Sequence, residues 1–356
     1  MDKVQLKRRG FDLGEVTTNQ TSHPSDIEIK QAWLDDKAIV LPALLSRELQ
    51  TYAKDIKQAH QLMQQVLTRA EVTPFLEQPP YLERIQENFF IVATSPEEHD
   101  EQGIEKIYID AFASDEDDVV AEELWCKASW LSFHDEDASL RFRFSWGMEG
   151  YEDVSADPLK QTWAGKLCDV IFPESAIITQ NNTILDHLSS ILGKKPSFVE
   201  RIVYFNAPNG GAQFHHDVER GHAGVVFAQL SGATFWLAAS KPRLMNEIIA
   251  FVQHEHNQAA ITSVLPEKTQ QQTLTKLCQN RENLSDDMEE PDHELIEAII
   301  DRCPAFITHM VNQGFAHHLQ AGDVLLLPQR DLDNCVWHSV FTIGDTPGEA
   351  LSFAVR

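Results

Sequence analysis

Apolar positions in the first half of the chain change period several times. Residues 1–26 show no periodicity, and their Thr, Ser, Asn and Pro content predicts an irregular arm. Ile27 to Asp35 predicts a short helix, and Ala38–Leu41 a strand. Ser46 is placed to cap a long helix whose apolar positions Leu49, Ala53, Ile56, Leu62, Met63 and Val66 recur close to every 3.6 residues. The runs FFIVAT and IYIDAF within residues 84–113 predict two strands, with SPEEHDEQG as an exposed loop between them. Ser114 then precedes Asp115, Glu116, Asp117 and Asp118, and acids suit a first helical turn, so a helix start is expected there. Residues 139–147, SLRFRFSWG, alternate like a half-buried strand. Asn181–Leu192 predicts a helix stopped by Gly193, with Pro196 beyond.

From Phe198 the pattern becomes β. FVERIVYFNAP, GVVFAQL and ATFWLAA predict three strands, the last two separated by Ser231-Gly232. After Pro242 the pattern is helical for some seventy residues. Leu295, Ile296, Ile299, Ile300 and Cys303 mark one helix face ended by Pro304, and residues 305–313 make another helix closed by Gly314. HHLQAGDVLLLP, CVWHSVFTI and ALSFAVR return the chain to strands. The expected class is α+β: a mainly β, barrel-like core with an N-terminal helical region and a helical insertion. Residues 1–125 are expected to pack as an α/β region on a core of 126–356, with the insertion at about 243–314.

Composition narrows the function classes. Hydrophobic residues make up 42% of the 356, as in an ordinary globular protein. No apolar stretch is long enough for a transmembrane helix, and MDKVQLKRRGFDLGEV lacks the apolar segment of a secretory signal. A cytoplasmic protein without membrane partners is expected. The five cysteines are scattered and never spaced CxxC, which argues against a disulfide framework and a zinc–thiolate site. A net charge of −26 repels nucleic acid and is compatible with a cationic partner.

The chemistry concentrates in Asn206–Asp217, where a glycine-rich turn leads into His215-His216-Asp217. Residues two apart on a strand share a face, so His215 and Asp217 can bind one metal, while His216 points the other way. Much later, GDVLLLP at residues 322–328 is followed by Trp337-His338-Ser339. His338 as third ligand would complete two histidines and one carboxylate, leaving coordination positions open, which suits iron(II). With fifteen histidines present, His-x-Asp alone is weak. The order of strand, glycine-rich turn, His-x-Asp, two apolar strands, GDVLLLP and distal histidine is what carries the signal.

Over residues 198–242 and 315–356 this order resembles the JmjC/cupin-like branch of the iron(II)/2-oxoglutarate oxygenases. QLSGATFWL resembles the family's strand after the metal motif, GDVLLLP the strand leading to the distal histidine, and KAIVLPALLSRELQ its strand-then-helix opening. The resemblance implies a double-stranded β-helix, a jelly-roll barrel with iron in its mouth. It also implies oxidative decarboxylation of 2-oxoglutarate coupled to hydroxylation or demethylation of a protein or small-molecule substrate. Homodimerisation through helices is a further implication. Two positions depart from the family pattern: Ala212 stands where a hydroxyl residue is usual, and Thr234 where a lysine often pairs the co-substrate's distal carboxylate. Arg356 on the final strand is therefore the candidate anchor, with Arg201 and Arg243 as others, and Tyr204 and Thr234 as hydroxyl contacts. Trp236 and Trp337 are candidates for the substrate pocket. Two other readings stay open: a metalloenzyme needing no 2-oxoglutarate, and a non-catalytic binding module whose histidines only pack.

Overall fold

Val199, Val203 and Phe205 bury one face of the strand 198–206, with Arg201 between them on the same face, and this strand pairs along both its edges. The computed structural model describes residues 2–8, 10–18, 22–69, 71–96, 104–113, 118–129, 139–146, 157–219, 221–290 and 294–356. The strands among them are β1 Asp2–Arg8, β2 Phe11–Thr18, β3 Ile39–Leu41, β4 Phe89–Pro96, β5 Ile104–Phe112, β6 Val119–Ser129 and β7 Ser139–Trp146. They continue as β8 Phe198–Asn206, β9 Gly211–His215, β10 Gly224–Gln229, β11 Ala233–Ser240, β12 Ala316–Gln320, β13 Val324–Pro328, β14 Val336–Ile343 and β15 Gly348–Val355.

The strands form a nine-stranded antiparallel sheet in the order β3-β13-β10-β15-β8-β7-β6-β5-β4, a four-stranded sheet β12-β11-β14-β9, and the hairpin β1-β2. From β8 to β15 the chain passes back and forth between the two larger sheets, with β11 and β12, on either side of the helical insertion, both in the smaller one. Val225, Phe227, Leu325 and Leu327 of the large sheet share one buried cluster with Trp236, Ala238, Leu319, Val336 and Val340 of the small one. The two sheets therefore face each other, each burying its apolar alternate positions on the other. The fold is α+β, a large antiparallel β-sheet with helices.

The outer faces are covered by helices. The large sheet's second face buries Phe142, Phe144, Phe205 and Phe353 against helices that include Ala53–Arg69 and Pro158–Ile171. The small sheet's outer face, with Phe235, Leu237, Trp337 and Phe341, packs on the insertion, whose described residues between Lys241 and Asn312 are helical apart from short breaks. None of the helices searched among the described residues is long and apolar enough to cross a membrane.

Several expectations are met, among them the helix Asn182–Leu192, capped by Asn181 and stopped by Gly193 at φ +69°. Others are corrected. The first residues are the hairpin β1-β2, burying Val4, Leu6, Leu13 and Val16. The helix expected from Ser46 is broken at Tyr52 into Ser46–Thr51 and Ala53–Arg69, and Leu45, not Ser46, precedes it. No helix can run on from the acidic cluster, because Val119 begins β6; residues 114–117 themselves lie outside the described residues, as do 97–103 of the expected loop. The expected boundary at 125/126 falls inside β6, whose sheet runs unbroken into β7 and β8.

Candidate metal centre

Strand pairing brings the motif histidines together. In the β9–β14 ladder His215 lies directly opposite His338, so two residues far apart in sequence become cross-strand neighbours with ring centroids 4.2 Å apart. Gly211 makes this pairing fit: at φ +135° its position would put a Cβ 2.0 Å from the Val340 carbonyl oxygen, so the glycine-rich turn is a condition of the β9–β14 contact. Asp217, two residues beyond His215, closes the third side. Its Oδ1 is 3.6 Å from His215 Nε2 and its Oδ2 3.5 Å from His338 Nε2. One ligand atom from each of the three lies within 4.8 Å of the others.

Both imidazoles are held in the tautomer a metal requires. His215 Nδ1 is 2.7 Å from the Gln213 carbonyl oxygen and His338 Nδ1 is 3.3 Å from that of Val336. A carbonyl only accepts, so each Nδ1 carries the proton and each Nε2 turns its lone pair toward Asp217. His338 is buried, and burial followed by the neighbouring His215 pushes its pKa down to about 4, so the ring is neutral at ordinary pH. Surrounding protein desolvates Asp217, which alone would raise its carboxyl. Positive charge on the rings of His338, His215, His216 and His222, when they are protonated, outweighs this and holds it below the usual value. Trp236 stacks on His338 at 5.2 Å and 27°, fixing the ring plane.

The three groups line a pocket of about 200 Å³ between the facing sheets. Its walls include Val225, Phe227, Leu327 and Val340, with Ser139, Arg141, Tyr204, Asn206 and Ser352 as polar groups. Burial raises the Tyr204 phenol to about 12, so its hydroxyl keeps its proton. A larger groove of about 570 Å³ runs along the helix Ala53–Arg69, lined mainly by Gln58, Gln61, Gln64 and Gln65, and holds none of these groups.

The structure sorts the other sequence candidates. Tyr204 and Trp236 line the pocket, as does Ala212. Thr234 does not: it is fully buried, donates to Gln229 Oε1 at 2.8 Å and accepts from Trp236 Nε1 at 2.9 Å. Trp337 faces the opposite side of β14 and packs edge-on to His216, 5.3 Å away. His216 itself bonds Glu289 at 2.8 Å, in keeping with its opposite orientation. Arg356 does not line the pocket; its Nε donates to Ser197 Oγ at 3.2 Å. Arg201 is committed to Asp169 and the Gly165 carbonyl, and Arg243 lies by Glu247. The basic residue that lines the pocket is Arg141, which sequence reading missed. It sits on β7 directly opposite Tyr204 of β8, and the alternation of SLRFRFSW puts it on the pocket face. That alternation was visible in the sequence; the pairing of β7 with β8 was not.

No protein-family model matches this sequence, and neither does any curated protein. Among solved structures the chain is similar to one described as YcfD, a ribosomal oxygenase from Escherichia coli. Identity is 11% and TM-score 0.27, over 78% of this chain and 43% of that one. A second crystal structure of the Escherichia coli ribosomal oxygenase YcfD gives 12%, 0.26, 78% and 44%. YcfD in complex with cobalt and succinic acid gives 11%, 0.26, 78% and 43%. The chain thus matches less than half the length of these proteins, at scores that add no weight to the geometry of the site.

Proposed function

We propose that this protein is a mononuclear iron(II) oxygenase on a double-stranded β-helix, using 2-oxoglutarate to hydroxylate or demethylate a protein or small-molecule substrate. The observation that carries this reading is the convergence, in one pocket, of two imidazole Nε2 atoms and a carboxylate, each imidazole oriented through its Nδ1. The donor set fits iron(II): two nitrogens and one oxygen on one face leave room for a chelating co-substrate and O₂. Bound iron would supply the redox chemistry with O₂.

The chain's own residues would do the rest. Arg141 would seat the distal carboxylate of 2-oxoglutarate, taking the part that the sequence assigned to Arg356. Tyr204 would donate its phenolic proton to a co-substrate oxygen. Val225, Phe227, Leu327 and Val340 keep that side of the pocket apolar, which strengthens charge interactions inside it.

The test is anaerobic addition of iron(II) and 2-oxoglutarate to metal-free protein, read by visible absorbance, followed by succinate assay in air. A charge-transfer band and slow succinate formation without substrate are expected. Arg141→Ala should weaken 2-oxoglutarate binding roughly 10- to 100-fold, the worth of about 1.5–3 kcal/mol for a charge-assisted hydrogen bond, while Arg356→Ala leaves it unchanged. Iron binding with neither band nor succinate would favour a metalloenzyme that needs no 2-oxoglutarate.

A further inference from the structure

We infer that Glu200, Glu219 and His222 form a second divalent-cation site beside the first. One ligand atom from each lies within 4.8 Å of the others. Glu200 projects from β8 on the face that carries Tyr204, by strand alternation. Glu219 and His222 belong to the turn after Asp217, where Gly221 at φ +85° bends the chain so that the His222 amide donates to the Glu219 carbonyl at 3.1 Å. His222 Nε2 then stands 4.0 Å from Glu219 Oε2. Metal bonds of about 2.0–2.2 Å can bridge ligands at such spacings after small side-chain adjustments.

The second observation is the state of His222. Its side chain is 3% exposed, the whole residue 9%, and its ring nitrogens make no well-formed hydrogen bond, only weaker contacts with the Asp217 backbone and Glu219. A buried polar group without a partner costs about 1–3 kcal/mol, so each one in a folded protein calls for a physical explanation. This one points at two carboxylates. Arg143 already contacts the pair: its Nε engages Glu200 Oε1, its Nη2 donates to Glu200 Oε2 at 3.0 Å, and the same Nη2 lies 3.8 Å from Glu219 Oε1. That does not close the site. A carboxylate oxygen has a second lone pair, and ligating carboxylates are commonly oriented by an outer donor, the role Arg143 fills here. A neutral imidazole with two carboxylates suits a borderline cation such as Zn²⁺ or Fe²⁺, and its two carboxylates also admit the harder Mn²⁺. A cation here would pin the far end of the Asp217–His222 turn and hold Asp217 in register with the two histidines.

The experiment counts Mn²⁺ bound by metal-free, untagged full-length protein, using the electron paramagnetic resonance signal of free Mn²⁺. Wild type should bind two equivalents, and His222→Ala, Glu200→Gln and His215→Ala one each. The near-isosteric Glu200→Gln guards against a folding defect in His222→Ala, with circular dichroism as the check. One equivalent in wild type that survives both His222→Ala and Glu200→Gln but vanishes in His215→Ala overturns the inference and leaves the first site standing. One equivalent that survives His215→Ala but vanishes in His222→Ala supports it and removes the first site instead.

Discussion

Arg8→Met is the substitution whose consequences follow most directly from the structure. Arg8 Nη2 is 2.5 Å from Asp301 Oδ1, and the two side chains are 2% and 1% exposed. Arg8 Nη1 also donates to the Ala212 carbonyl at 2.6 Å and to Ser339 Oγ at 2.5 Å, while Asp301 Oδ1 accepts from the Phe214 amide at 2.9 Å. The pair thus joins β1 and the helical insertion to β9 and β14, the strands that carry His215 and His338. Methionine fills much of the volume but leaves Asp301 buried with only an amide partner. Removing one member of a buried pair costs about 3–5 kcal/mol. Arg8→Met/Asp301→Asn keeps an acceptor for Phe214, removes the stranded charge and should recover most of that loss.

The loss should also depend on pH. Burial already raises the Asp301 carboxyl against the pull of Arg8, and without Arg8 it rises further. A carboxyl whose folded pKa lies above its unfolded one makes stability fall as pH rises between the two values. The Arg8→Met deficit should therefore be larger at pH 8 than at pH 5. Urea unfolding of the wild type, both single variants and the double variant at the two pH values measures this. A deficit below about 1 kcal/mol at pH 8, or one that does not change with pH, would refute the reasoning.

Glu174 and Glu349 are buried close together in the core, and burial raises both carboxyls, Glu174 to about 7 and Glu349 well above its usual value. Stability should accordingly fall as pH rises from about 4.5 through 7, because both carboxyls keep in the fold protons that the unfolded chain releases. Glu349→Gln should stabilise the protein at pH 8 and flatten that slope in urea titrations; an unchanged slope would count against a protonated pair. Thr234→Val should cost about 1–3 kcal/mol of stability, because Trp236 Nε1 and Gln229 Oε1 lose their buried partner. Its affinity for 2-oxoglutarate should stay within about twofold of wild type, a change below roughly 0.5 kcal/mol, and a larger fall would return Thr234 to the pocket.

The β core was legible because its strands are short runs rich in β-branched and aromatic residues, as in FVERIVYFN and VWHSVFTI, the second buried on both faces. His215 and Asp217 stood out by their spacing, but the strand expected to carry both ends at His215, and Asp217 reaches the histidines from the chain just beyond it. The N-terminal hairpin was not. Val4 and Leu6 keep the period of two, but a register shift at Leu6/Lys7 and Gly14 at φ +91° displace Leu13 and Val16 from it. β6 was obscured by Glu122 and Glu123, where Glu123 takes φ +59° and interrupts the alternation just after an acidic cluster. Arg141 was out of reach because its place in the pocket depends on which strand β7 pairs with. Trp337 was misjudged by one residue of parity: next to His338 on β14, it faces the insertion and not the pocket.

The central claim is that His215, Asp217 and His338 hold one divalent metal. Its most direct measurement is the affinity of metal-free protein for iron(II), determined anaerobically for wild type and for His215→Ala, Asp217→Ala and His338→Ala. The account predicts that each substitution abolishes the same tight site while circular dichroism stays native. Undiminished tight binding in His338→Ala would contradict it.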